Sequence, residues 1–365
     1  MPKALRWIIK FVSAIIALAL VLCALILGGA AYFNSPPREN RLALAGHSSD
    51  DEGLSFDESG AVLLEIKSGE TAYSVGNRLE NAGVIRSRYF WYLLSRLGKE
   101  YLKTGVYRIE LPASEIKIRS ILIKGDQILV RVTIPEGVTL KKTSRILEDE
   151  GICGAEDFLK AASSKEILDA YNIPGSTMEG YLYPDTYLFN RDYPAPKVVS
   201  AMADNFFKRL REIVPEVFAS TGNMAMSAEE FNNRIIIASI VEREYRIPDE
   251  AALMAGVFYN RLRIGMYLQS CATVEYVITE VQGRPHPDVL YNRDLEIRDQ
   301  YNTYLHPGLP PGPISAPGET ALRAAFYPAE TPFLYFRLMD PNEGRHYFSR
   351  TLDDHIKAGT LYLKG

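Results

Sequence analysis

The feature that most constrains the fold is an uncharged stretch near the N-terminus. Phe11 to Phe33 are consecutive residues without an acidic or basic side chain. About 20 apolar residues in a helix span the hydrocarbon core of a bilayer, so this stretch predicts a transmembrane helix over 11–33. A secretory signal peptide is the alternative, because Gly28-Gly29-Ala30-Ala31 resembles a small-residue cleavage site. The length of the apolar stretch favours the anchor.

The charges beside this stretch predict its orientation. Lys3, Arg6 and Lys10 precede it, and basic residues flanking a span stay on the cytoplasmic side. We therefore expect residues 1–10 to be a cytoplasmic tail and the rest of the chain to lie outside the membrane. Residues 34–60 are polar and acidic, which is typical of a flexible tether.

Overall charge and cysteine content exclude some classes of protein. The net charge of −4, with no long basic run, argues against a nucleic-acid partner. There are 22 tyrosines and only 2 tryptophans; tyrosines suit clefts for sugars or peptides but also fill cores. Cys23 lies in the apolar stretch, and Cys153 and Cys271 are far apart, so a disulfide framework is excluded. One disulfide between the last two stays open, although isolated thiols are the simpler interpretation.

Two segments of the chain, 62–90 and 130–158, match at a constant offset of 68 positions. Each has alternating apolar residues, then a glycine, then a helical pattern that begins at a threonine and stops at a glycine. The identical pairs are Gly69/Gly137, Thr71/Thr139, Leu79/Leu147, Glu80/Glu148, Gly83/Gly151 and Phe90/Phe158. We interpret the pair as a duplicated strand–turn–helix unit, with further strands in "GVYRIELP" and "QILVRVTI".

A glutamate in the C-terminal half is the strongest catalytic candidate. Ser227 and Glu230 form a capping box, which predicts a helix that continues through "AEEFNNRIIIASIVEREY" and ends before Pro248. At 3.6 residues per turn, Glu242 lies in line with apolar residues. Those residues are Phe231, Ile235, Ala238 and Tyr245.

The second glutamate of this segment, Glu244, points about 200° away from Glu242 and lies with Ile237 and Val241. The helix is apolar nearly all round, which predicts burial against more than one neighbour. Burial raises the pKa of a carboxyl group, as a general acid requires. The alternatives are a solvated Glu242 or one paired with Arg243 or Arg246.

Other chemistries find little support in the chain. It contains no HExxH, CxxC, GxSxG, P-loop or GxGxxG sequence. We therefore expect neither a metal nor a cofactor. A Ser-His-Asp triad assembled from distant positions stays open, and "RPHPD" at 284–288 is most simply a loop.

Several further segments are predicted to form the walls of a cleft. "EGYLYPDTY" (179–187) is aromatic and acidic, "RIGMYLQS" (263–270) predicts a turn at Gly265 followed by a short strand, and 301–318 carries five prolines. Such a proline-rich loop can be neither a helix nor an inner strand. A second helix is predicted from Asp249 to about Arg263, and a hairpin and a helix starting at Thr351 end the chain.

Taken together, these segments resemble the YceG-like family of endolytic murein transglycosylases. The resemblance rests on "EGYLYPDTY", "ASIVERE", "VFYNRLRIGMYLQS", "YNTYLHPGLPPGPISAPG" and "FLYF…HYFSRTLDDH", in that order, and covers roughly 61–365. It implies an α+β chain with an N-terminal transmembrane helix, a LysM-like duplicated α/β region over 61–165, and a lysozyme-like, mainly helical catalytic domain over 166–365. It also implies peptidoglycan as substrate, a single-pass anchor in the cytoplasmic membrane, and cell-wall synthases as candidate partners.

The resemblance assigns roles to individual residues. Glu242 matches the catalytic glutamate of the family, while Gln269, Asn302, Tyr304 and Glu179 are implied substrate contacts. One departure is Cys271, which stands where an aspartate is expected after "LQS".

The implied reaction is a carbon–oxygen lyase reaction. Glu242 protonates the bridging oxygen between N-acetylmuramic acid and N-acetylglucosamine, then takes the proton of the muramyl 6-hydroxyl, which closes a 1,6-anhydro ring. Two alternatives stay open. One is a muramidase that uses water and a second carboxylate from Glu179, Asp185 or Glu275. The other is a non-catalytic, wall-binding scaffold.

Overall fold

The protein is described by a computed structural model covering residues 3–37, 53–57, 59–67, 69–98, 101–125, 127–218, 226–340 and 342–361. The chain mixes helices with small antiparallel sheets, so the predicted α+β class is confirmed. It divides into two compact units, Met1–Leu129 and Val130–Gly365. The predicted tether falls partly on residues 38–52, outside the described residues, and its end contains the first strand of a sheet.

Unit 1 begins with a long helix, followed by a three-stranded sheet and three short helices. In chain order these are α1 (Lys3–Asn34), β1 (Leu54–Phe56), β2 (Val62–Ile66), α2 (Ala72–Asn81), α3 (Arg88–Leu97), β3 (Gly105–Ile109) and α4 (Glu115–Lys124). The strands are antiparallel in the order β1-β2-β3. Trp91 is fully buried in the core of this unit.

Helix α1 contains the predicted apolar segment. Residues Lys10–Asn34 are long and apolar enough to cross a membrane, and none of that span is buried inside the protein. Because an unburied apolar helix is unfavourable in water, α1 has the property of a membrane anchor and also that of a signal sequence.

The duplicated unit folds as its sequence predicts. In both copies a strand leads to a glycine with positive φ, Gly69 at 81° and Gly137 at 73°. In both, a threonine side chain then caps the following helix: Thr71 accepts from the Ser74 N–H, and Thr139 from the Lys142 N–H. The first copy lies in unit 1 and the second in unit 2.

Unit 2 is mainly helical. Its elements are β4 (Val130–Thr133), α5 (Leu140–Asp149), α6 (Ala155–Ala162), α7 (Lys165–Ala170), β5 (Thr186–Phe189), α8 (Ala195–Ile213), α9 (Ala228–Glu244), α10 (Pro248–Arg263), α11 (Cys271–Tyr276), α12 (Asn292–Leu295), α13 (Glu319–Phe326), β6 (Tyr335–Asp340), β7 (Arg345–Ser349) and α14 (Leu352–Leu361). A short 3₁₀ turn (Pro215–Val217) follows α8, and a π turn (Val277–Val281) extends α11. β4 pairs with β5, and β6 pairs with β7, both antiparallel.

Helix α9 is the centre of unit 2. It begins after the predicted cap, where the Ser227 hydroxyl accepts from the Glu230 N–H, and it packs against α10, α11 and α13. Every residue from Ile235 to Val241 is buried. A helix that is apolar all round must be covered on all sides, so the predicted burial against several neighbours is confirmed.

One predicted element is wrong. Residues Met266–Ser270 do not form a strand. Gln269 has a φ of 51°, which lies outside the β region, and its N–H donates to the carbonyl of Thr303. The N–H of Ser270 donates to the Thr303 side chain, and the Arg261 guanidinium donates to the carbonyl of Leu268. These bonds hold the segment in place of a strand ladder. The predicted C-terminal hairpin, by contrast, is present as β6 and β7.

Candidate active site

The carboxyl group of Glu242 lies in the last turn of α9. Its Oε2 accepts a hydrogen bond of 2.8 Å from the N–H of Gly318, the residue that caps α13. Its Oε1 lies 3.5 Å from the hydroxyl of Tyr245. No salt bridge reaches Glu242 among the residues that the structure describes, since Arg243 binds Glu275 instead at 2.9 Å. A hydrogen-bonded but uncompensated carboxyl therefore stands at the end of a buried helix.

The end of the proline-rich segment is bonded to α9. The N–H of Ile314 donates to the Ser239 hydroxyl at 3.0 Å. The hydroxyl of Ser315 donates to the Ser239 carbonyl at 2.9 Å. Ser239 is fully buried, so these contacts fix the approach to Gly318 relative to the helix that carries Glu242.

The turn of the second repeat copy forms the opposite side of the site. The N–H of Gly137 donates to the carbonyl of Ala316 at 2.9 Å, and the N–H of Ala316 donates to the carbonyl of Val138 at 2.8 Å. A Cβ on Gly137 would lie 3.7 Å from Cγ of Glu242. The repeat turn and the proline-rich segment therefore pair with each other beside the candidate acid.

The environment favours the protonated form of Glu242. Burial raises the pKa of Glu242 to about 8, and the charge of Glu136 adds to this rise, while the hydrogen bonds from Gly318 and Tyr245 oppose it. The C-terminal end of a helix also carries partial negative charge, which disfavours a carboxylate there. At neutral pH the group can therefore donate a proton.

Glu136 was missed by the sequence reasoning. It lies in the turn before Gly137, and its side chain occupies the space beside Gly318. No local sequence pattern distinguishes Glu136, because an acidic residue in an exposed turn is common. Its position in the second copy of the duplicated unit is the one signal that could have drawn attention to it.

Helical phase separates Glu242 from Glu244 in direction but not in burial. Glu244 accepts a hydrogen bond from the Ser270 hydroxyl, and burial raises its pKa too, against that bond. The carboxyl group of Glu244 is thus hydrogen-bonded to Ser270, the residue that precedes α11, rather than solvated. The sequence alone did not predict a second enclosed acid.

Two of the predicted substrate contacts line one cavity. Gln269 and Tyr304 border a cavity of about 690 Å³. Tyr245, Glu244 and Cys271 border it as well. Tyr245 also contacts Glu242 at 3.5 Å, but the residues that line the cavity include Glu244 and not Glu242 itself. The thiol of Cys271, at the position where an aspartate was expected, lies 3.3 Å from the hydroxyl of Tyr304.

The other two predicted contacts are buried and already bonded. Asn302 is fully buried; its amide donates to the carbonyls of Leu295 and Ile297. Glu179 is 6% exposed, and both its oxygens lie 3.1 Å from the N–H of Leu140, the first residue of α5. Burial raises the pKa of Glu179 to about 8 against that hydrogen bond.

The remaining candidate carboxylates have cationic partners. Asp185 binds Arg209 at 3.2 Å. Burial alone would raise its pKa, but hydrogen bonds from Asn205, Thr186 and Arg209 lower it overall. Glu275 binds Arg243 at 2.9 Å, with His286 at 3.4 Å. Both carboxylates are therefore ion-paired, and Glu275 borders the same cavity as Gln269 and Tyr304. No group of three or more His, Cys, Asp or Glu side chains with metal-binding geometry occurs within the described ranges.

Comparison with known proteins gives consistent matches. The model of the YceG-like family matches residues 64–360. An endolytic murein transglycosylase of Bacillus subtilis (strain 168) is 28% identical over 329 residues, covering 86% of this chain and 88% of the relative. The protein of the same name from Streptococcus pneumoniae serotype 2 (strain D39 / NCTC 7466) is 27% identical over 326 residues, and the match spans 80% of this chain but only 57% of that relative.

A solved structure shares the fold. The crystal structure of a YceG-like protein from Listeria monocytogenes superposes with a TM-score of 0.53 at 29% sequence identity. The match covers 83% of this chain and 99% of that one.

Proposed function

Because this chain belongs to the YceG-like family, we propose that it is an endolytic murein transglycosylase in which Glu242 is the acid and then the base. The observation that carries the assignment is the enclosed, unpaired carboxyl of Glu242, held by the N–H of Gly318. The names of the relatives support the activity.

The reaction needs one carboxyl group. The protonated Glu242 gives its proton to the oxygen that bridges N-acetylmuramic acid to N-acetylglucosamine, and the bond from that oxygen to the muramyl C1 breaks. The resulting carboxylate takes the proton of the muramyl 6-hydroxyl as that oxygen bonds to C1. No water enters, and the product carries a 1,6-anhydro ring. A pKa near 8 suits a group that must first donate and then recover a proton.

The site itself supports the order of the two steps. After the first transfer, the N–H of Gly318 donates to the new carboxylate. This bond stabilises the anion until the 6-hydroxyl is deprotonated. Because Gly318 is fixed by the main-chain pairing of Ala316 with Gly137 and Val138, the donor needs no rearrangement between steps.

The wider organisation completes the proposal. Residues 1–10 are a cytoplasmic tail, 11–33 a membrane anchor and 34–60 a tether, the end of which carries strand β1. Residues 61–165 form the LysM-like duplicated region, and 166–365 the lysozyme-like catalytic domain on the outer side of the cytoplasmic membrane. The substrate is the nascent glycan strand, and cleavage within it ends elongation by cell-wall synthases, which are the proposed partners.

Gln269 and Tyr304 are proposed as substrate contacts, since they border the cavity beside Tyr245. Asn302 and Glu179 act differently in this proposal. Their buried bonds hold the loop of Tyr304 and the start of α5, so they position the cleft without touching the glycan.

The decisive experiment digests purified glycan strands with the membrane-reconstituted protein and its Glu242→Gln variant. We expect the variant to cleave at least about 100-fold more slowly, the usual loss for removal of a general acid. Mass spectrometry should find anhydro ends, which lack one water relative to hydrolysed ends. Glu244→Gln is the matched control on the same helix, and it should retain anhydro products.

Each alternative gives its own result. Unchanged cleavage by Glu242→Gln would refute the catalytic assignment. Hydrolysed ends from the wild type would indicate a muramidase. Binding of glycan without any cleavage would indicate a scaffold.

A further inference from the structure

The side chain of Glu136 reaches the same backbone position that binds Glu242. A Cβ built on Gly318 would lie 1.9 Å from Oε1 of Glu136, so this carboxylate occupies the space a side chain would need. The N–H of the same Gly318 donates to Oε2 of Glu242 at 2.8 Å. With standard bond geometry, the two carboxyl groups are at most about 7 Å apart.

The backbone fixes this arrangement. Gly137, directly after Glu136, donates to the carbonyl of Ala316, and Ala316 donates back to the carbonyl of Val138. These two bonds join the repeat turn to the segment that leads into Gly318. Glu136 is therefore held at the site by main-chain pairing on its C-terminal side.

The two carboxyl groups lie in different environments. Glu136 is exposed, while Glu242 is only partly accessible at the end of α9. Water stabilises the charge of an exposed carboxylate, whereas burial disfavours the charge of an enclosed one. The geometry therefore places a solvent-exposed carboxyl group beside an enclosed one.

Within the described ranges, the groups that contact Glu242 or influence its pKa are few. Tyr245 lies on its own helix and Gly318 caps α13. Arg243 is directed to Glu275. Among the described charged side chains, Glu136 is the one whose charge raises the pKa of Glu242. Glu319, the residue after Gly318, acts with Glu136 on Tyr183.

We propose that Glu136 is a positioning residue of the reaction, whose fixed negative charge keeps the proton on Glu242 until the glycosidic bond receives it. This inference rests on the proposed function. It also gives the second repeat copy a part in the chemistry, in addition to any contact it makes with the glycan.

The test is the pH profile of glycan cleavage by the full-length protein and its Glu136→Gln variant. Without the negative charge, Glu242 ionises more easily, so the pKa of the acid falls. The basic limb of kcat/KM should then move to lower pH by about 0.5–1 unit, a shift reduced by solvent screening. Glu136→Asp keeps the charge and should leave the limb near that of the wild type.

Two further variants separate charge from shape. Gly318→Ala keeps the charge of Glu136 but displaces it, because the new methyl group takes its place; the φ of −85° and ψ of −174° at Gly318 accept alanine. Its basic limb should move in the same direction as that of Glu136→Gln. Glu319→Gln removes an equal charge one residue away and should not move the limb.

The outcomes are distinct. A uniform loss of activity in Glu136→Gln, with an unmoved basic limb, would show a merely structural role and overturn the inference. So would hydrolysed ends that disappear in this variant, since Glu136 would then be a base for water. If Glu136→Gln does not fold, salt provides the test: added salt should move the wild-type limb to lower pH, and no movement counts against the inference. Activity retained by Glu242→Gln would instead refute the proposed function.

Discussion

At the scale of single residues, the site places a carboxyl group where burial disfavours its charge. Glu242 follows an unbroken buried run in α9 and ends beside a backbone donor instead of a cation. Glutamates at helix ends are usually solvated. Burial of Glu242 lowers the stability of the folded protein, but it keeps the carboxyl group protonated so that it can transfer a proton.

The stability cost of Glu242 predicts a pH dependence. The folded-state pKa, about 8, lies above the ordinary glutamate value of 4.5. The unfolded chain therefore releases this proton first, and stability falls as pH rises from about 4.5 to 8. Glu242→Gln removes the charge, so the variant should be more stable than the wild type by roughly 1–3 kcal/mol at pH 8, and nearly equal to it at pH 4.5.

Thermal unfolding of both proteins at pH 4.5, 6 and 8 measures this difference. Glu319→Gln serves as the control, because Glu319 is exposed and paired with Arg323. A difference that is constant with pH would contradict the raised pKa of Glu242.

Residue-level prediction succeeded where the information is local. Helical periodicity predicted the buried apolar helix whose last turn carries Glu242, and the S-x-x-E pattern predicted the cap at Ser227. Glu136 could not be found this way, because its relation to Glu242 passes through Gly318, which is 76 positions from Glu242 in the chain. The enclosure of Glu244 was missed for the same reason, since its partner Ser270 comes from another element.

At the scale of elements, the start of α5 is more heavily bonded than a surface helix requires. The Thr139 side chain accepts from Lys142, while both oxygens of Glu179 face the N–H of Leu140. This N-terminus directly follows the turn of Glu136 and Gly137. The bonds of Glu179 therefore fix the direction in which the turn enters the site.

Substitution of Glu179 tests this element. Glu179→Ala leaves a buried N–H without its partner and should lower the free energy of unfolding by about 1–3 kcal/mol. Glu179→Gln keeps an acceptor oxygen, so it should keep most of the stability and the KM for glycan. A raised KM in a normally stable Glu179→Gln protein would instead favour a direct contact with the substrate.

The sequence predicts an element correctly where its hydrophobic periodicity and its turn or cap residues indicate the same structure. Examples are both copies of the repeat, α9, and the hairpin of β6 and β7. The strand expected after Gly265 failed because a tertiary contact overrides local pattern: Gln269 turns to a positive φ and bonds Thr303.

At the scale of the whole molecule, the residues that the structure describes form two separate hydrophobic cores. One is centred on Trp91 in unit 1, the other on α9 in unit 2, and they share no residue. Proteins with separate cores can lose one while retaining the other.

Trp91→Ala should therefore destabilise unit 1 alone. The indole is fully buried, packs against Gly76 and donates to the carbonyl of Ala72 at 2.8 Å, so its loss should cost roughly 3–5 kcal/mol. Hydrogen exchange should accelerate in β2 and β3 and stay unchanged in α9. Leu97→Ala, on the same helix but 72% exposed, is the control. Equal acceleration in α9 would show that the two cores unfold together.

The duplication also determines whether the two copies of the unit could replace each other. Its two copies share a fold and caps, yet the position of Glu136 is occupied by Ser68 in the first copy. The two copies differ at this position, and the turn of the second copy lies beside Glu242. Exchange of the two copies, which would leave the strand–turn–helix pattern intact, would supply a serine where the reaction has a charge. Two copies of a repeat can no longer replace each other once one of them contributes a residue beside the active site.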